Sequence, residues 1–69
     1  MIRIYDVDKG GYVYANPNYI TSVVPYARHG QNWGKVWIVG NAGYGTFEVV
    51  SNATPEEIMN LIREFHENN

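Results

Sequence analysis

Two aspartates near the amino terminus are the first candidates for chemistry. Asp6 and Asp8 are separated by one residue, so in a strand both carboxylates would point to the same side and could act as acid and base or hold a metal. The alternative is a solvated strand end whose charges discourage edge pairing. Ser22 and Ser51 lie in no nucleophile motif, and His29 alone cannot form a triad. The pattern therefore predicts a protein that is not an enzyme and has no cofactor.

The chain has too few thiol and imidazole groups for a zinc site. It contains no cysteine, and its two histidines are His29 and His66. Neither a metal site nor a disulfide is therefore expected. A single small core usually yields no more than about 3–5 kcal/mol, and chains of this size gain further support from disulfides, metals or self-association. Self-association is the support that remains.

The segment 26–35 is predicted to be a loop that could bind a ligand. It holds an arginine, whose planar fork suits phosphate oxygens, a lysine as a point charge, and aromatic rings on which bases could stack. Its two amides, Gln31 and Asn32, could read base edges. The same composition also fits a solvated hairpin in which Trp33 folds back onto the sheet. The candidate ligand contacts in and beside this segment are Tyr26, Arg28, His29, Trp33, Lys35 and Trp37.

The glycine-rich segment 40–46 is a second candidate loop. Its three glycines allow close backbone approach, and consecutive amides could form an anion-binding concavity. A P-loop or dinucleotide fingerprint would join a strand to a helix, whereas these glycines join two predicted strands. A plain hairpin turn is the alternative interpretation. Asn41, Tyr44 and Thr46 are its possible ligand contacts.

The charges are distributed unevenly along the chain. No aspartate or glutamate occurs between Asp8 and Glu48, and that stretch contains all seven glycines and most of the aromatic residues. The formal net charge is nevertheless −2, which gives no broad basic surface for a nucleic-acid polymer. A small anion needs only a local basic patch. No segment approaches the roughly 20 apolar residues that cross a bilayer, and the amino terminus lacks a signal peptide's apolar run, so the chain is expected in the cytoplasm without a membrane partner, in a bacterial host cell if it is viral.

The helix at the carboxyl end has the clearest local pattern. Thr54, Pro55 and Glu57 supply a hydroxyl cap, a first-turn proline and a capping-box carboxylate. Apolar residues then recur at helical spacing, which gives one stripe that faces a core. These apolar positions are Ile58, Leu61, Ile62 and Phe65.

Upstream of the helix, the spacing of apolar residues changes to two and predicts strands. Short connections between them favour antiparallel neighbours. The expected architecture is a single α+β domain over residues 1–69, with a small antiparallel sheet of about five strands in a meander closed by one C-terminal amphipathic helix. The five predicted strands cover residues 2–7, 12–15, 20–26, 35–39 and 45–50.

One helix cannot cover both faces of such a sheet. Tyr5, Tyr12, Tyr14 and Trp37 alternate with the apolar core positions, so they are expected on the uncovered face. Leaving a large apolar side chain in water forgoes roughly 1.5–3 kcal/mol of burial, so a second subunit is expected to cover the three tyrosines. The alternative is a solvated tyrosine-rich surface, since tyrosine is favoured in strands.

Two stretches of the sequence resemble the small flagellar FlbD-like bacterial proteins. The segment 12–23, with its aromatic strand, Asn16-Pro17 turn and Ile20, looks like one part of that family. The segment 47–65, with Ser51 in the turn before the closing helix, is similar to another. The resemblance covers about half of the chain, and it implies the same fold and a motility accessory protein without catalytic residues. The segment 28–35 and the glycine-rich turn depart from the family's plain hairpins.

Two hypotheses about function follow. The first is a non-enzymatic homo-oligomer that sequesters a small anionic aromatic ligand, such as a nucleotide or cyclic nucleotide signal. In size, composition and lack of catalytic groups, such a protein looks like compact phage-encoded proteins that sequester bacterial immune signals. The second is a protein-interaction module, either a motility accessory or a small inhibitor that docks its aromatic face on a larger protein, because Tyr, Trp and Arg also dominate interfaces.

Overall fold

The computed structural model describes residues 1–28, 30–40 and 45–68, and its elements confirm the predicted α+β class. Five strands precede one C-terminal helix. Within the described ranges, no helix is long and apolar enough to cross a membrane. The elements are β1 (Ile2–Asp6), β2 (Gly11–Ala15), a short 3₁₀ turn (Pro17–Tyr19), β3 (Ile20–Arg28), β4 (Gln31–Val39), β5 (Thr46–Ser51) and α1 (Pro55–Glu67).

The strands form two antiparallel sheets, so the prediction of one continuous sheet was wrong. β1 pairs with β2, whereas β3, β4 and β5 form a separate three-stranded sheet. The 3₁₀ turn separates the two sheets, because the Asn16 side chain accepts a hydrogen bond from the Asn18 amide at 3.0 Å and Pro17 has no amide hydrogen to donate. The sheets approach each other where the Val7 amide donates to the Val50 carbonyl at 3.0 Å.

The segment 26–35 belongs largely to strands, so the prediction that it forms a loop was wrong. β3 and β4 are nine residues each, and Arg28 is paired with Gln31 near the end of their hairpin. Gly30 has a φ of 75°, which suits the tight connection. Tyr26 and Trp33 lie opposite each other in the register, and such cross-strand aromatic pairs stabilise a sheet.

The two sheets share one core under the helix. Ile58 is fully buried and is the residue of α1 that reaches deepest, while Leu61, Ile62 and Phe65 pack against the same cluster, as the helical spacing predicts. The capping box forms as expected, with the Thr54 hydroxyl and the Glu57 carboxylate each accepting from the other's backbone amide. The buried apolar cluster consists of Ile2, Ile4, Ala15, Val36, Ile38, Val49 and Ile58.

Asp6 is not part of a solvated strand end. Its side chain is buried, and its Oδ1 accepts hydrogen bonds from the amides of Asp8 at 3.0 Å and Lys9 at 3.1 Å. The Asp6 carbonyl also accepts from the Gly10 amide, whose residue has a φ of 71°. The carboxylate therefore organises the β1–β2 turn.

Candidate binding faces

One face of the three-stranded sheet collects the described candidate ligand residues of β3 and β4. Val36 and Ile38 alternate with Trp37 along β4 and are buried towards the helix, so Trp37 lies on the opposite side. Cross-strand partners share a side, so the register places the other candidates there as well. We call this surface, formed by Tyr26, Arg28, Trp33, Lys35 and Trp37, the aromatic face.

Each cation of the aromatic face lies against a ring. The guanidinium carbon of Arg28 is 5.7 Å from the centroid of the Trp33 ring. The Lys35 Nζ is 4.2 Å from the centroid of the Tyr26 ring. Contacts of this kind are electrostatic attractions between a cation and the negative face of the ring. They keep both cations next to the rings of the sheet.

Both cations are also paired with carboxylates. Arg28 Nη1 donates to Asp8 Oδ1 at 2.6 Å, and Lys35 Nζ lies 3.5 Å from Glu48 Oε2. The hydrogen bond that Arg28 donates to Asp8, together with the negative charge of Asp8, raises the pKa of Arg28 above its ordinary value, so the guanidinium stays charged. Positive and negative charges are therefore neighbours on the aromatic face. In the sequence, by contrast, the charged residues between Asp8 and Glu48 are all basic.

One further candidate ligand residue lies on the same side of the sheet. Thr46 is exposed and begins β5, and its register partner Val39 alternates with the buried Ile38, so Thr46 shares the side of Trp37 but lies at the far end of β4 from Trp33. His29, Asn41 and Tyr44 lie outside the described residues.

The β1–β2 hairpin presents a second aromatic surface, formed by Arg3, Tyr5, Tyr12 and Tyr14, which we call the tyrosine face. The rings of Tyr5 and Tyr12 meet edge to face with centroids 5.2 Å apart. The Arg3 guanidinium carbon lies 4.3 Å from the Tyr12 ring centroid. Tyr12 and Tyr14 remain 54% and 65% exposed, so the tyrosines predicted to point away from the core do so.

Arg3 was not among the residues predicted for this surface, although the pairing of β1 with β2 places it beside the tyrosines. Tyr5 faces Tyr12 and Arg3 faces Tyr14 across the two strands. A short hairpin between the predicted strands places position 3 beside these tyrosines, since directly opposed residues share a side. Arg3 therefore belongs to the tyrosine face.

A shallow cleft of about 300 Å³ lies on the helix side of the sheet. It is lined by Pro25 and Asn32 from the β3–β4 hairpin and by Thr54, Pro55 and Glu56 from the start of the helix. None of the predicted ligand residues that the structure describes lines it, so the cleft and the aromatic face are different features. In the described ranges, no three His, Asp or Glu side chains are grouped closely enough to hold a metal ion.

Comparison with models of protein families, with curated proteins and with solved structures found no match.

Proposed function

We propose that this chain is a non-enzymatic, homo-oligomeric protein-interaction module that docks its aromatic face on a partner protein. The observation that carries the proposal is the convergence of two tryptophans, a tyrosine and two ring-stacked cations on the face turned away from the helix. Trp, Tyr and Arg are the residue types that dominate the energetics of protein interfaces.

The charge state of the aromatic face favours a protein over a free anion. Asp8 and Glu48 already pair with Arg28 and Lys35, so part of the positive charge that a phosphate would need is neutralised. A protein surface that brings its own acids and bases can meet both signs without breaking either pair. The FlbD-like resemblance is compatible with a partner in the motility apparatus, and an inhibitor of a larger protein would use the same face.

A small anionic ligand of the nucleotide or cyclic nucleotide class is the second candidate. The stacking of Arg28 on Trp33 and of Lys35 on Tyr26 favours it, because a base could stack on a ring while the adjacent cation binds a phosphate. The Arg28–Asp8 pair is partly exposed, so water and salt screen it and an incoming phosphate can compete for the guanidinium.

A thermal-shift screen separates the two candidates. A ligand present at 100 times its dissociation constant stabilises the folded protein by about 2.7 kcal/mol. The panel would contain cyclic and linear nucleotides, nucleosides and inorganic phosphate, and we expect no shift with any of them. A shift with nucleotides that nucleosides and phosphate do not reproduce would replace the protein-interaction proposal by the second candidate.

If a nucleotide binds, two variants test whether Arg28 contacts its phosphate. If Arg28 holds its phosphate, Arg28→Ala weakens binding by at least about tenfold, because a hydrogen bond to a charged group is lost. Asp8→Asn gives the opposite result, since it removes the carboxylate that competes for the same guanidinium. Weakening by both variants would mean that the Arg28–Asp8 pair shapes the site and that Arg28 does not contact the phosphate.

Capture of a partner tests the protein-interaction proposal directly. Wild-type protein immobilised in lysate from its native host is expected to retain a stoichiometric partner that Trp37→Ala loses. Phe47→Ala is the matched control, because Phe47 is 43% exposed but its register partner is the buried Ile38, which places it on the other side of the sheet. Equal retention by both variants would contradict docking through the aromatic face.

A further inference from the structure

The tyrosine face contains an arginine that lacks an acidic partner. Arg28, Lys35 and Arg63 each form an ion pair with a carboxylate, whereas none of the ion pairs in the described part of the chain includes Arg3. Arg3 instead lies 4.3 Å over the Tyr12 ring, and its cross-strand neighbour Tyr14 is 65% exposed. Stacking on a ring leaves the in-plane donors of a guanidinium available for a carboxylate.

The helix presents acidic side chains on its outer side. Glu57, Asn60, Glu64 and Glu67 recur at spacings of three, four and three residues, so they form one exposed ridge along α1. Glu57 is engaged in the capping box, and Glu67 lies 3.8 Å from Arg63. No ion pair or side-chain hydrogen bond in the described ranges includes the carboxylate of Glu64. We call these four residues the acidic ridge.

We propose that the tyrosine face of one copy binds the acidic ridge of a second copy, with Arg3 paired to Glu64. This inference rests on the homo-oligomer of the proposed function and names the two surfaces that form it. The two surfaces lie on opposite sides of the protomer, so the contact runs head to tail and builds a ring or an open chain of copies.

Charge and shape both favour a second copy as the occupant. The helix contains four of the chain's seven acids and one arginine, so its outer side is the acidic surface that complements an unpaired arginine. The tyrosine face is the exposed side of a two-stranded hairpin, and small molecules bind in concave sites that enclose most of their surface. Tyrosine and arginine beside exposed aromatic area are typical of a protein interface.

Sedimentation equilibrium on charge variants tests the pairing. The wild-type protein is expected to associate, and added salt is expected to weaken that association. Arg3→Glu and Glu64→Arg should each raise the dissociation constant by at least about tenfold, because each places like charges opposite each other. An equimolar mixture of the two variants should associate again. In the mixture, Arg3 of the Glu64→Arg variant can pair with Glu64 of the Arg3→Glu variant, and the two substituted positions also carry opposite charges.

Lys9→Glu is the matched control. It makes the same change of charge in the exposed β1–β2 turn, outside the tyrosine face, and it should leave association unchanged. The pairing would be overturned if the wild-type protein associates and Arg3→Glu does not alter that association. It would also be overturned if the mixture of the two variants stays monomeric. Either result would leave a homo-oligomer in place. A wild-type protein that is monomeric at every concentration and low salt would overturn both the pairing and the proposed homo-oligomer. Circular dichroism of each variant confirms that the comparison is between folded proteins.

Discussion

At the scale of single residues, Gly34 lies where the sheet packs tightly against the start of the helix. A Cβ built on Gly34 would lie 2.6 Å from Ile58 Cδ1 and 3.0 Å from the Ala53 carbonyl oxygen. The second of these atoms belongs to the backbone, so a rotamer change in Ile58 alone does not make room. The absence of a side chain at position 34 therefore allows Ile58 to enter the core.

Gly34→Ala is expected to destabilise the protein by about 1–3 kcal/mol, because overpacking of a well-filled core forces side chains and backbone to move. Urea denaturation followed by circular dichroism measures the loss. Gly11→Ala is the control, since a Cβ on Gly11 would meet no atom within 4 Å and its φ is not positive. Equal stability of the two variants would show that the contact with Ile58 relaxes freely.

The cations of the aromatic face show what can and cannot be predicted from residue types. The tryptophans, tyrosine and cations of the aromatic face were identified from composition, and alternation along β4 places Trp33, Lys35 and Trp37 on one side. The acids that neutralise them could not be identified in the same way. Asp8 lies 20 residues before Arg28 in the chain and follows β1, which belongs to the other sheet. Predicting such a pair requires the arrangement of the two sheets.

At the scale of elements, the helix is the part that local physics determines most fully. The Thr54 hydroxyl accepts from the Glu57 amide at 3.2 Å, and the Glu57 carboxylate accepts from the Thr54 amide at 3.1 Å. Both groups are within three residues of each other, so their pairing follows from sequence spacing. Helix start and apolar stripe were accordingly predicted correctly.

Thr54→Ala is expected to lower the free energy of unfolding by about 0.5–2 kcal/mol, because an amide of the first turn loses its acceptor. Thr54→Ser keeps the hydroxyl and should retain most of the stability. Denaturant titration of the three proteins gives the comparison. An alanine variant as stable as wild type would mean that water replaces the cap without loss.

The β3–β4 hairpin was misread because its local composition resembles a loop. Gly30, Gln31, Asn32 and Gly34 are all unfavourable or neutral in strands, and they interrupt the apolar alternation. Contacts across the two strands outweigh these preferences, including the Tyr26 and Trp33 pair and the stacking of Lys35 on Tyr26. These stabilising contacts join residues on different strands, so a prediction from local sequence alone underestimates them.

At the scale of the whole molecule, one helix covers two sheets from one side. Ile2 and Ile4 of the first sheet and Val36 and Ile38 of the second belong to the same buried cluster as Ile58. The opposite sides of both sheets carry the aromatic and tyrosine faces. A single helix leaves aromatic surface uncovered whether the strands form one sheet or two, because it packs against only one side of them.

A core of this size leaves little margin for the loss of its central residue. Ile58 is fully buried and belongs to the cluster that joins α1 to both sheets. Ile58→Ala is expected to cost about 2–5 kcal/mol from the removed methyl groups and the cavity they leave. Because a single small core supplies about 3–5 kcal/mol, this variant should be largely unfolded in circular dichroism and should melt without a cooperative transition.

Two further variants distinguish a loss of packing from a general sensitivity of the helix. Ile58→Val removes one methylene and should cost about 0.5–1.5 kcal/mol, which leaves a folded protein with a lower melting temperature. Met59→Ala removes a side chain that is 51% exposed on the same helix and should change stability little.

If the homo-oligomer covers enough apolar surface to add to the core, the Ile58→Ala protein should regain structure as its concentration rises, because association stabilises the folded state by mass action. Unfolding that is independent of concentration would instead assign the whole of the stability to the core beneath the helix.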